Sequence, residues 1–273
     1  MIRNILKCIR TSKNLWAVLE LYLHRDRKRL IHFYNSPGLI LNWTLYRAVR
    51  DTLARDWTVA QGQNSYEFTR DGMKIFGDIH YTPFILAEPF EDHYQADYRD
   101  KTILDAGGYT GETMVLFWRY GAKKVIVYEP VPEFFNYIQL NAKMNNINAE
   151  IHNEGLGPAD GETLVSYHSL DSGFGLAKEG NKSIPIKLKN VRDALIACKA
   201  DIAKFDCEGC ENCLLDLDHE ALIQVPYYII ECHFNEEKIT EKFLNEGFNI
   251  ARKIPKSNRN IAVINNKDIV TFS

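Results

Sequence analysis

No stretch of this sequence stays apolar for anything near the roughly 20 residues that a helix needs to cross a bilayer, so a helical membrane span is not expected. The opening residues, Met1 to Arg10, lack the unbroken apolar stretch and small-residue cleavage site of a secretory signal, and a cytoplasmic protein is expected. Matches to the glycosylation pattern at Asn42-Trp-Thr44 and Asn181-Lys-Ser183 then carry no meaning. Internal repeats and low-complexity tracts are missing too, which removes solenoids and disordered arrays. No sign of charge dominates, the formal net charge being −3. What remains is an ordinary globular composition, 45% hydrophobic and 25% charged over 273 residues, enough for one large domain with an appended segment.

The small net charge hides an asymmetry. Residues 1–60 hold 11 Lys and Arg against 4 Asp and Glu, whereas the remainder holds 22 against 32. Such a split marks either a basic arm for nucleic acid, anionic lipid or an acidic substrate, or simply a solvated helix face. This first third reads as mainly helical. Leu15, Val18, Leu19 and Tyr22 recur at helical spacing, a basic run spans His24 to Arg29, Pro37-Gly38 breaks the pattern, and a second helix covers Leu41 to Arg55. Ser65 to Phe76 reads as two short strands about an Asp71-Gly72 turn.

From about Lys101 strands and helices alternate, which argues for a parallel sheet covered on both faces. Strands are expected at Thr102–Asp105, Lys124–Tyr128, Glu150–Asn153, Ile184–Leu188, Asp201–Asp206, Tyr227–His233, Phe248–Arg252 and Ile261–Ile264, with helices at Glu112–Tyr120 and Pro132–Asn145. Lys253 to Asn260 leaves no room for a crossover helix, so the last two strands must be antiparallel.

The informative stretch is Asp105-Ala-Gly107-Gly108-Tyr109-Thr110-Gly111, set between a strand and a helix. Glycines there let the backbone approach a ligand and leave the helix-start amides free. Glu129 ends the next strand, where an acid can take both hydroxyls of a ribose. A dinucleotide fingerprint would need glycine where Ala106 stands. Asp105 at the strand tip would repel a pyrophosphate and favour the ammonium and sulfonium charges of S-adenosylmethionine (SAM).

On these residues, Lys101 to Ile147 resembles the cofactor half of class I methyltransferases. Lys204-Phe-Asp206-Cys-Glu208-Gly209-Cys-Glu211 together with Glu231-Cys-His233 resembles the signature of FkbM-type methyltransferases. The chain departs from that family at Gly108 and Tyr109 and at Asn190-Val-Arg192-Asp193. The resemblance, over about residues 95–265, implies a Rossmann-like α/β fold: a seven-stranded sheet whose last strand is antiparallel, here behind a mainly helical N-terminal extension. It also implies SAM as cofactor, usually with O-methylation of sugars or related small molecules. The domain boundaries expected are 1–95 for the extension with its short hairpin and 96–273 for the SAM-binding domain.

Lys204, Asp206 and Glu208 alternate along one strand and would share a face. Glu231 and His233 do so on the next, and the carboxyl ends of such strands are where ligands bind. Asp206 is the candidate for contacting SAM or the acceptor, and Glu208 or His233 for the base. The structural alternative is an ion-pair network of Lys204 with Asp206 or Glu231. Asn153 and Glu154 follow the third strand and are expected to reach an adenine. Ser169 to Gly175 is a glycine-rich surface loop or lid.

Among the six cysteines, Cys207, Cys210 and Cys213 are evenly spaced, but only Cys232 could complete a zinc or iron–sulfur set. Buried, reduced thiols and no metal are therefore expected, with Cys207 and Cys232 pointing away from Asp206 and His233. Two rival functions stand beside the methyltransferase of small molecules: an RNA methyltransferase using the basic arm, disfavoured by the lack of an Asn-Pro-Pro-Tyr motif, and a catalytically silent SAM-binding scaffold.

Overall fold

The computed structural model of the protein describes residues 2–63, 65–167, 182–255 and 260–266. They form two compact units, Met1–Asp92 and His93–Ser273. Among the described residues no helix is long and apolar enough to cross a membrane.

The first unit runs α1 (Ile2–Thr11), α2 (Leu15–Leu23), β1 (Arg29–Ile31), β2 (Leu39–Leu41), α3 (Trp43–Leu53), β3 (Thr58–Gln61), β4 (Tyr66–Arg70), β5 (Met73–Gly77) and α4 (Thr82–Leu86), and α5 (Phe90–His93) spans its end. Asn42 caps α3 by accepting the Leu45 amide at 2.9 Å, satisfying one of the helix's free donors. The Asp71-Gly72 turn joins β4 to β5 with φ of 50° and 80°, the paired left-handed conformation that tight hairpins need. This unit is less helical than the sequence suggests, holding a β1–β2 ribbon and a three-stranded β3–β4–β5 sheet. The strands that the sequence did not announce, β1, β2 and β3, are only three or four residues long, too short to display a two-residue period. Tyr46, Trp57 and Phe68 are fully buried, and the Arg70 guanidinium lies 4.5 Å over the Trp57 ring.

The second unit runs β6 (Thr102–Ala106), α6 (Glu112–Arg119), β7 (Lys124–Tyr128), α7 (Pro132–Met144), β8 (Ala149–His152), β9 (Gly155–Gly157), β10 (Gly161–Tyr167), β11 (Lys182–Asn190), α8 (Val191–Cys198), β12 (Ile202–Phe205), a 3-10 turn (Cys210–Asp216), α9 (His219–Leu222), β13 (Tyr227–Cys232), α10 (Glu236–Asn245), β14 (Phe248–Pro255) and β15 (Asn260–Asn266). The main sheet has the order β14-β15-β13-β12-β6-β7-β8. Its five strands from β13 to β8 are parallel, and β15 is antiparallel to both β13 and β14. Successive strands step outward from β6 through β7 to β8, then resume on its other side with β12. That reversal opens a crevice at the carboxyl ends of β6 and β12.

One expected strand is placed elsewhere. Ile184–Leu188 lies within β11, which pairs antiparallel with β10 and parallel with β9 in a separate three-stranded sheet. The apolar alternation of β11 is legible in the sequence, but an alternating strand does not announce which sheet it joins. The glycine-rich stretch from Ser169 to Gly175 lies outside the described residues. A core including Leu104, Phe205, Tyr228, Ile230, Phe243 and Phe248 packs the sheet against its helices.

Candidate functional site

The backbone leaves β6 at Gly107, whose φ of 82° is the left-handed region that glycine enters without cost. A methyl group on Gly107 would overlap the carbonyl oxygen of Asp206, so glycine here lets the loops after β6 and β12 touch. Gly108 is needed for another reason, since a side chain there would run into Val127 and Ile138 beneath it. Gly111, φ 93°, forms the N-cap of α6. Between them Tyr109 adopts φ 46° and sets its ring 4.4 Å from that of Phe134.

Glu129, just past β7, ties this loop down. Its two carboxylate oxygens accept the amides of Tyr109 and Val131, each at 2.9 Å. Burial pushes the carboxyl up to about 8, against the pull of those two amides. It borders an open cleft lined by the apolar Tyr128, Val131, Leu156 and Ile186 and also by Asp206, Cys207 and Glu208. Gly107 lines this cleft; Gly108 and Gly111 shape the loop from beneath without lining it.

Asp105 does not face the cleft. It is fully buried, accepting from the Thr113 hydroxyl at 2.6 Å and pairing with the Lys204 ammonium at 2.9 Å. The expected contact between Asp105 and a ligand's positive charges is thus met by an internal cation. Lys204 is equally buried and also donates to the Gly107 carbonyl at 2.7 Å. Burial alone would lower its pKa, but the carboxylates of Asp105 and Asp206 outweigh that and raise it. Lys204 therefore clamps the glycine loop from below instead of reaching reactants, and its ion-pair partner is Asp105 rather than Asp206 or Glu231.

Beyond β12 the alternation lapses, because the strand ends at Phe205 and Glu208 and Gly209 turn with φ of 54° and 125°. Asp206, Glu208, Glu231 and His233 still converge. The His233 Nε2 stands 3.7, 3.6 and 3.7 Å from carboxylate oxygens of Asp206, Glu208 and Glu231, and its Nδ1 3.4 Å from Glu211. Burial pulls the imidazole pKa down, while the nearby Glu211 carboxylate and the charges of Asp206 and Glu208 more than offset it, leaving it above the ordinary value. Asp206, Glu231 and His233 each offer a ligand atom within 4.8 Å of the others, a grouping that suits a metal ion.

Two members of this cluster are not among the site residues expected from the sequence. Tyr94, buried, donates its hydroxyl to Asp206 at 2.6 Å from 112 residues away, and nothing in the neighbouring sequence announces such a contact. Glu211, fully buried, accepts the amides of Gly209 at 2.8 Å and His233 at 2.9 Å. Its place in the Lys-x-Asp-x-Glu-Gly-x-Glu pattern is the available signal. Asn153 and Glu154 line a neighbouring groove with His152 and Lys187. The Asn153 amide is spent on the carbonyls of Glu129 and Pro130 at 2.9 and 3.1 Å, supporting the loop after β7.

The cysteines depart from expectation. Cys207 and Cys210 form a disulfide, with Cα atoms 5.4 Å apart, and both line the cleft. Cys207 shares the cleft with Asp206 because the turn after Phe205 cancels the strand alternation. Cys232, still within β13, is buried in the core as anticipated, and Cys213 is a free, half-buried thiol.

No protein-family model matches this chain, and no curated protein matches it in sequence. Solved structures similar to it include a ribosomal protein L11 methylase from Lactobacillus delbrueckii subsp. bulgaricus, 18% identical, covering 70% of this chain and 81% of that one with a TM-score of 0.41. Another is a putative tRNA (m1A22) methyltransferase from Streptococcus pneumoniae in complex with S-adenosyl-L-methionine, 13% identical over 64% of this chain and 70% of that one, TM-score 0.41. A putative RNA methyltransferase from Pyrococcus horikoshii is 13% identical over 62% and 75%, TM-score 0.40.

Proposed function

We propose that the second unit binds SAM in the cleft between the β6 and β12 loops and methylates an acceptor hydroxyl. The observation that carries this reading is that one cleft joins Glu129 to Asp206 and Glu208. A diol-binding acid beside an apolar slot suits an adenosine, and a charged end suits an acceptor whose proton must leave. The fit is sound at Glu129, whose oxygens each keep a lone pair after accepting one amide. When bound, SAM supplies a methyl group already activated by its sulfonium.

The protein's share is positioning and proton removal. Asp206, fixed by the Tyr94 hydroxyl, is placed to orient the acceptor. His233, held by Glu211, is the base, and Glu208 beside it stabilises the imidazolium that forms. Lys204 and Asp105 keep the glycine loop in place. The finer assignment within this proposal is an FkbM-type O-methyltransferase acting on a small, sugar-like molecule.

Calorimetry tests the cofactor assignment. SAM and S-adenosylhomocysteine should bind at micromolar level and NAD should not. Glu129→Ala should weaken binding by about 1.5–3 kcal/mol, through lost charge-assisted hydrogen bonds. Because Glu129 holds a proton up to about pH 8, binding adenosine at pH 7 should release a proton, measurable by repeating the titration in buffers of different ionisation enthalpy. NAD binding more tightly than SAM sinks the assignment. A methyl-transfer screen over sugars and tRNA, with and without chelator, then separates acceptor classes and tests the Asp206, Glu231 and His233 grouping for metal.

A further inference from the structure

The helix α2 (Leu15–Leu23) carries an arrangement that methyl transfer does not use. Eight of its nine residues are apolar, yet only Val18 and Leu21 are buried. Leu15, Leu19, Tyr22 and Leu23 are 43–64% exposed and Trp16 is 85% exposed. At 3.6 residues per turn these five side chains occupy one continuous face of about 120°. Monomeric proteins seldom leave such a stripe bare without a use for it. The one acid in the helix, Glu20, is taken up by Arg29.

Cations frame the stripe. Lys13 precedes it and Arg25, Arg27 and Lys28 follow it, all exposed, with Asp26 as the sole exposed acid in that run. The Arg25 guanidinium lies 5.5 Å over the Tyr22 ring, at the border between the apolar and basic surfaces. Asn14 fastens the start of the helix to β1 through the carbonyl of Leu30 and the amide of His32. That anchorage brings in a second exposed apolar pair, Leu30 and its cross-strand partner Ile40, 46% and 66% exposed.

We propose that α2 is an interfacial helix that lays its Leu15–Leu23 face into the headgroup boundary of an anionic phospholipid surface. A helix of nine residues is about 14 Å long, less than half the hydrocarbon thickness, so it lies in the plane of the membrane. Aliphatic side chains enter the acyl boundary, Trp16 and Tyr22 settle at the headgroup level, and Lys13, Arg25, Arg27 and Lys28 meet the lipid phosphates. Charge decides against a second copy of the chain, since docking α2 on its twin brings two basic rims together. It also decides little in favour of RNA, because a polyanion offers the leucines nothing to bury against.

Vesicle co-sedimentation of the full chain provides the test. Binding should be strong to phosphatidylcholine vesicles containing phosphatidylserine, weak to phosphatidylcholine alone, and reduced by salt. Trp16→Ser with Leu19→Ser, both at exposed positions, should lower binding at least ~10-fold with the melting temperature kept. Reversing Arg25, Arg27 and Lys28 to Glu should lower it at least ~100-fold, at about fivefold per cation, and only on the anionic vesicles. Absence of vesicle binding overturns the proposal. So does a chain that sediments as a dimer and becomes monomeric in the Trp16, Leu19 variant, or one whose cations serve tRNA while vesicles are ignored.

Discussion

Asp206 and His233 carry the sharpest consequence of this site. An imidazole ringed by carboxylates at 3.4–3.7 Å keeps its proton to higher pH than a free one, so it becomes a base only above that raised value. Methyl transfer should therefore rise with pH through an apparent pKa above the ordinary imidazole value. Asp206→Asn removes one of the charges, so the midpoint should move down while transfer falls by ~100-fold or more. The same protonation contributes stability that is present below the ordinary imidazole pKa and is lost as pH rises through the raised one. A purely structural ion-pair network predicts a different order of effects, with a large fall in melting temperature and activity per folded molecule retained. Melting curves and single-turnover transfer on one preparation of Asp206→Asn distinguish them; early melting with normal turnover defeats the catalytic reading.

At the scale of elements, the site depends on two loops touching, the one after β6 and the one after β12. Their contact exists because Gly107 has no side chain where the Asp206 carbonyl passes. Gly107→Ala adds both a left-handed alanine, costing about 1–2 kcal/mol, and a collision that forces the loops apart. It should lower the melting temperature and weaken SAM binding together. Gly247→Ala supplies the control, since its φ is 90° but the space around it is open. That variant should bear only the backbone strain and bind SAM as before. Equal binding by both variants would mean that the loop contact does not shape the cleft.

For the whole molecule, every cleft residue and Tyr94 lie in His93–Ser273. Residues 1–35 are not a detachable arm. Ile31 and Phe33 are buried, β1 pairs with β2, Lys7 pairs with Asp51 at 3.0 Å, and the Ser12 hydroxyl meets that of Tyr46 at 3.3 Å. A cut after residue 35 would strip the first unit's core, whereas a fragment comprising 93–273 removes that unit entire. Such a fragment should bind S-adenosylhomocysteine with the affinity of the full chain, as calorimetry would report. A fragment that is folded by circular dichroism but does not bind would assign part of the cofactor site to residues 1–92.

The parallel strands, the glycine loop and the acid after the next strand, the Asp71-Gly72 hairpin and the antiparallel close of the sheet are all legible in the sequence. Each of these is written in local chemistry: period, turn residues, or a connection too short for a helix. Tertiary structure alone decided the pairings. Lys204 meets Asp105 because β12 lies beside β6 in a register that sets those two residues opposite each other, and strand order is not contained in either strand. For the same reason Tyr94 could not be foreseen at Asp206, nor β11 outside the main sheet. Cys207 faces the cleft because β12 stops at Phe205, two residues before alternation would have turned it away. Side-chain periodicity reports which face a residue takes while a strand lasts; where the strand ends and what lies beside it are settled by packing across the fold.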